Sequence, residues 1–478
     1  VVGGAGGGTA GVAASAAVND YNPLTYAWIG DGARINQGVS GAALAGRSLA
    51  VHAHARTDLL SIVGTVGIGG TAGVGGAADV VVIDKKTAAW IGEGVIARSG
   101  DSLAVGASSA EAIRSVGVGL SAGGTAGVQG SASVLVLDID TLASVKTGSA
   151  LFSDGNLVIA ADADSDLDLL AGAIGAAGTA AVGAGAAVAV VDKTTHAWID
   201  DGAAVTALGN ATAAEVADGG FDIGYVATAA GEGEVAAPGI TPSDGENDLA
   251  GGSAALDATR TSSASTSAHR GLAVTALNRD DIKGYAVTGA AAGTAAVTLS
   301  GEVSVHQTDT RASIGSIELA EGASHTGVQV NADNTGANAA QSVRVAAGND
   351  SFHLGIAGAL SASGTVGVGV GADVAAMQHA THAAIVDQSA VNAKRDVEVA
   401  ASSSQEVVSI SASLGASGTV GVAGSVSVLS FDNETSASIG DEVQVAAGGN
   451  LSVTADDHTD TTLVAGTIAL GIGGGGVG

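Results

Sequence analysis

Four aspartates at alternate positions, Asp162, Asp164, Asp166 and Asp168, form the most pointed chemical pattern in this chain. In an extended strand all four carboxylates project from one face, about 6.6–7 Å apart. Such a row suits weak divalent cation binding, but it lacks the Gly and the closing Glu of a helix-loop-helix calcium site, so a solvated acidic face is the plainer expectation. Paired carboxylates also serve polysaccharide hydrolases and lyases, which makes a carbohydrate-active β-helix the alternative function. His52 and His54 share one strand face and would need a third ligand to hold a metal; an exposed polar ladder is expected instead. His379 and His382 are expected to bracket a solvated turn. Gly119-Leu120-Ser121-Ala122-Gly123 has the form of a nucleophile elbow, and Gly6, Gly8 and Gly11 that of a dinucleotide fingerprint. Neither precedes the helix its chemistry requires. No catalytic residue and no resident cofactor or metal is expected.

The elements that position these groups follow from composition. Of 478 residues, 76 are Gly and only 2% are aromatic, so small Ala, Val and Gly side chains must fill the interior. That is the composition of a stacked repeat. Cysteine is absent, which leaves packing and backbone pairing to hold the fold. A net charge of −30 repels phosphate backbones and anionic lipid, so nucleic acid and anionic membranes are excluded as partners.

A Gly-Thr pair recurs at Thr9, Thr71, Thr125, Thr179, Thr294, Thr365 and Thr419. Three and nine residues after each Thr stands a Val, from Val12 and Val18 to Val422 and Val428, and the first of the two is expected to point into the core. An Asx or Gln followed by Thr, as in Asp84 and Thr87 or Asp138 and Thr141, reads as a turn. Ala and then Ile or Val follow, as in Ala89 and Ile91. The spacings between the Thr residues are 62, 54, 54, 115, 71 and 54. Reading 54 as three coils predicts an all-β parallel solenoid with about 18 residues per coil, roughly 24–26 coils and a rod about 115–125 Å long. The long spacing contains Pro238, Pro242 and Ser/Thr-rich sequence, so residues 228–270 are expected to leave the solenoid as a loop or insertion between repeats at 1–227 and 271–478. Neither terminus resembles a cap, so the solenoid is expected to be uncapped at both ends, as a window from a much longer repetitive protein or as one link in an end-to-end fibre.

Trp28, Trp90 and Trp198 share one template position that is Ser or Ala in the other copies. A site that accepts both should face solvent, with the flanking Ala and Ile or Val inward. With Asp31, Glu93 and Asp201 three residues further on, these rings are the candidate binding strip for glycans or a neighbouring filament.

The pattern Gly-Thr-x-Gly-Val, a Val/Ser-alternating strand, Asp-x-x-Thr and Ala-x-Ile-Gly-Asp-Gly, fullest over residues 124–148, resembles the repeats of leukotoxin-type filamentous adhesins. The resemblance implies a right-handed parallel β-helix on a large secreted bacterial surface protein, without catalytic residues. The function expected is a structural or adhesive segment of an extracellular filament. It would associate with itself end to end or with neighbouring filaments, and with cell-surface glycans.

Overall fold

A computed structural model describes residues 1–39, 43–227, 258–317 and 324–478. Every named element is a strand, and nearly all belong to three parallel sheets, A, B and C. Leu103–Gly123 of sheet A turns at Gly124-Thr125 into Ala126–Val145 of sheet B, which is followed by the short Ala150–Ser153 of sheet C. The chain then returns to sheet A as Leu157–Ala177, with Leu157 beside Leu103. The solenoid class is therefore as the sequence implies, but one coil holds 54 residues and not 18.

The coil is long because the expected Asx turns do not form. Asp84 and Asp138 sit on the outer side of uninterrupted 20-residue strands, each paired in register with the next coil. Continuous ladder pairing outweighs the local turn tendency. Only at Asn22-Pro23 is the strand broken, where Pro has no donor to give. Eight sheet-A strands stack to about 34 Å, whereas a 21-residue strand runs about 70 Å, so the body is a slab and not a thin rod.

The Gly-Thr turns explain their own recurrence. A Cβ built on Gly124 would overlap the carbonyl oxygen of Gly70, and one on Gly178 that of Gly124, so stacked turns admit only glycine. From this edge sheets A and B diverge. Close to it the inward residues are themselves small: Cβ atoms on Gly73 and Gly127 would overlap the backbone oxygens of Ala122 and Ala176 across the gap. This corrects the expectation for the recurrent Val residues. Where the sheets nearly touch, glycine and alanine take the inner positions, and Val faces out; Val12 is 65% exposed and Val128 39%. Further along the strands the gap widens enough for Ile83, Leu137 and Leu167. At the far end sheet C closes a three-walled prism, filled by Ile91, Val95, Leu103, Leu157, Ile159 and their equivalents.

Coils differ only at the corners of this prism. The spacings of 62, 115 and 71 exceed 54 by 8, 61 and 17 residues. The additions fall between sheets B and C or between C and A, none at the Gly-Thr edge, and the 17 extra residues enlarge turns and add no coil. The largest addition departs earlier than residue 228: Ala214–Ala227 and Ala258–His269 pair as an antiparallel hairpin. The rest of the expected excursion, 228–257, lies outside the described residues. Arg260 ties the hairpin to the outer face of sheet A by a bidentate pair with Asp350, 2.6 and 2.9 Å, and a contact with Glu406 at 3.2 Å.

Candidate functional site: two outer surfaces and a buried polar axis

Strand alternation turns Trp28, Trp90 and Trp198 outward while Ala89, Ile91, Ala197 and Ile199 are buried beneath them. Trp28 and Trp90 belong to adjacent coils and stack with ring centroids 5.3 Å apart and planes 8° from parallel. Tyr26 meets Trp90 edge-on at 5.7 Å. Trp198 is separate, because Ser144 occupies the intervening coil. Its Nε1 donates to Asp200 at 2.7 Å, and Lys146 lies 4.3 Å above its ring. The acids at the turn have backbone work. Asp31 Oδ1 accepts from the Glu93 amide at 2.9 Å, and Asp201 accepts from the amide of Ser316 at 3.3 Å and contacts His325 Nδ1 at 2.8 Å. Asp387 repeats the Asp31 bond on Asp441. Glu93 is exposed. The structure thus offers a two-ring platform plus an isolated ring, not one strip.

The outer face of sheet B is the larger feature, and the sequence reading missed it. Its outward positions one, three, five, seven and nine residues after the Gly-Thr Thr form five columns on seven coils, and all 35 are Ala, Val, Gly or Leu. The two Val columns stand as ridges either side of a trough floored by Ala14, Gly76, Gly130 and Ala184. The available signal was parity: the Gly or Ala two residues after each Thr and the Val three after it must face opposite ways.

Inside the slab runs a hydrogen-bonded axis. Lys85 Nζ donates to Glu111 at 2.7 Å and to Thr57 at 3.3 Å. Ser165 bridges onward, donating to Glu111 at 3.0 Å and accepting from Lys193 at 2.9 Å. Lys193 pairs with Asp280 at 2.6 Å, His306 Nε2 lies 3.1 Å from the same carboxylate, and Ser351 contacts His306 Nδ1 at 3.2 Å. Burial alone would raise the Asp280 pKa, but Lys193 and His306 outweigh it and hold the group well below the usual carboxylate range. His379 is the reverse of the solvated residue expected: it is 1% exposed in mid-strand, and burial, with His306 nearby, lowers its pKa to about 3. His382 faces outward and bonds Ser436 at 2.6 Å.

Beside this axis Glu302, His353 and Asp373 place ligand atoms within 4.8 Å of one another, all three buried. These are the described residues with the geometry to hold a metal. The aspartate row behaves as a surface ladder: Arg279 lies 3.4 Å from Asp162 and 3.6 Å from Asp164, and Arg114 2.9 Å from Asp168. His52 and His54 are exposed on the outer face. Ser121 is buried within Leu103–Gly123, where a nucleophile elbow has no place. Among known proteins the chain has no match, whether by family model, by similarity to curated proteins or by similarity to solved structures.

Proposed function

We propose that this chain is a structural and adhesive solenoid segment of an extracellular bacterial surface filament, and that it packs laterally against further copies through the ridged face of sheet B. The observation that carries the reading is the complete absence of charge from those 35 outward positions in a chain of net charge −30. Across such a face two like-charged bodies can meet without setting carboxylate against carboxylate. It spans about 26 by 29 Å, roughly 750 Å², close to the ~800 Å² per partner of a standard interface. A contiguous apolar surface of this size marks an association site in soluble proteins. The Trp28 and Trp90 platform supports a secondary contact with sugar rings. Carboxylates that break the repeat, Asp280, Glu302 and Asp373, are buried, which favours this reading over a polysaccharide hydrolase or lyase.

Sedimentation velocity across a concentration series tests it. The wild-type chain should associate reversibly, and Val128→Asp combined with Val182→Asp should weaken association by tenfold or more while leaving the melting temperature nearly unchanged, because both residues lie on the outer face. A wild-type chain that stays monomeric at high concentration, or a double variant that associates equally well, would overturn the proposal.

A further inference from the structure

Glu302 and Asp373 are direct neighbours on adjacent strands of sheet B. Across the gap, on sheet A, Gly284 and Gly355 are likewise direct neighbours. Other coils carry Ser61, Ser115, Leu169, Ser409 or Leu463 at that sheet-A position. The glycines make the room: a Cβ on Gly284 would overlap Glu302 Oε1, and one on Gly355 would fall 2.5 Å from Asp373 Oδ1. His353, two residues before Gly355, brings Nε2 to 3.9 Å from Glu302 Oε2. Two adjacent coils have therefore both replaced a side chain by nothing on one wall and placed a carboxylate in the space from the other.

These groups are orphaned. Glu302 is 1% and His353 0% exposed, yet both ring nitrogens of His353 have no hydrogen-bond partner, and the oxygens of Glu302 and Oδ1 of Asp373 meet only each other, a contact that needs a proton or a cation between them. Among the other buried carboxylates of this interior, Glu111 meets Lys85 and Asp280 meets Lys193, while Asp79 accepts from Ser61 and Ser115, the hydroxyls that Gly284 and Gly355 replace. Two buried carboxylates without a cation cost several kcal/mol, so something positive belongs between them. A neutral imidazole is the form that ligates metal.

We propose that Glu302, Asp373 and His353 bind one divalent transition cation of the zinc type, as an internal cross-link between sheets A and B. One imidazole nitrogen and two carboxylates suit Zn²⁺, whose bonds of about 2.0–2.2 Å gather ligands that already lie close together. Calcium needs six to eight oxygens and magnesium an octahedral, all-oxygen shell, neither of which a set of one imidazole and two carboxylates matches. The cation neutralises both carboxylates and satisfies their facing oxygens together with one ring nitrogen of His353. Ser409 donates to Oδ2 of Asp373 and orients the carboxylate, as an outer-shell partner does. Since the site lies inside the slab, metal enters as the coils close, and its binding energy becomes folding energy.

The test is to fold the full chain with Zn²⁺, dialyse it exhaustively and measure metal content, then repeat with Co²⁺ and record its visible absorption. About one equivalent per chain and intense tetrahedral cobalt bands are expected. The near-isosteric pair Glu302→Gln and Asp373→Asn should lose the metal while remaining folded, because it also removes the like charges. In metal-free buffer that variant should melt no lower than the wild type, and added Zn²⁺ should raise the wild-type melting temperature alone. A folded wild type without bound metal means that a proton shared by Glu302 and Asp373 fills the role, and it overturns the proposal. One equivalent retained by the double variant overturns it equally, by placing the metal elsewhere. If the variant fails to fold, the wild-type stoichiometry and cobalt spectrum decide.

Discussion

The prism closed by three sheets and the slab closed by two are built from the same strands but follow different rules. In the prism every coil repeats nearly the same residues: Ile91, Val145, Ile199, Ile314 and Ile385 form one column, and Leu103, Leu157 and Leu272 another. In the slab, one column reads Lys85, Ile139, Lys193, Thr308, His379 and Asn433. A residue in the prism is constrained from three directions and by identical neighbours above and below, so only close-packed apolar side chains fit. A residue in the slab answers mainly to the one opposite. Lys85 needs Glu111, Lys193 needs Asp280, and the coil between them can revert to Ile139. Two-wall packing lets cross-gap pairs change together, and the slab is accordingly where the chain diversifies its interior.

The sharpest way to break this contrast is at Lys193. Lys193→Met leaves Asp280 without its ammonium, with only His306 and Asn278 beside it, and should cost about 3–5 kcal/mol, whereas Lys193→Met with Asp280→Leu should recover part of that loss, since an apolar pair replaces the buried ion pair while His306 and Asn278 lose their acceptor. Urea denaturation of the three chains checks it. A double variant as unstable as the single one would mean that slab positions are not exchangeable as pairs.

Acid probes the rim of the prism. His269 is buried with Nε2 2.9 Å from the Leu272 carbonyl oxygen, and burial together with the nearby Arg344 lowers its pKa to about 4. The unfolded chain takes up this proton first, near pH 6.5, so the His269 contribution is whole above that pH and is lost as the pH falls towards 4. The loss should reach about 3 kcal/mol, and His269→Asn should flatten stability over that window. Urea midpoints at pH 7 and pH 4.5 measure the difference.

The smallest effect is expected at the thin edge. Gly127→Ala pushes a Cβ against the Ala176 backbone, where no side chain can yield, and should cost about 1–3 kcal/mol. Coils that carry Ala181 and Ala296 at this position show that the gap is tuned coil by coil. An unchanged melting temperature would mean that the sheets can part there freely.

The repeat template, the parallel β class and the outward set of the three Trp residues were legible because each rests on alternation and recurrence alone. Coil length was not, because 54 divides into three plausible 18-residue coils and only ladder register distinguishes them. The Val columns misled because hydrophobicity identifies an inner face only when the other face is polar, and near the Gly-Thr edge neither face is. The Glu302, His353 and Asp373 cluster drew its members from three separate strands, so no local motif announced it. Its trace was adjacent copies with an acid at one template position, matched by Gly284 and Gly355 in another column.

The confinement of every length change to the corners beside sheet C makes the molecule a display scaffold with a fixed spine. Additions of 8, 17 and 61 residues have been accommodated without shifting any strand of sheets A or B out of register. Closing a longer loop costs little extra entropy, whereas an added residue at the Gly-Thr edge would break a stack of turns packed too closely to admit a Cβ. New peptide segments can therefore be grafted along one side of the slab, coil by coil and about 4.8 Å apart, while the opposite edge keeps the coils aligned.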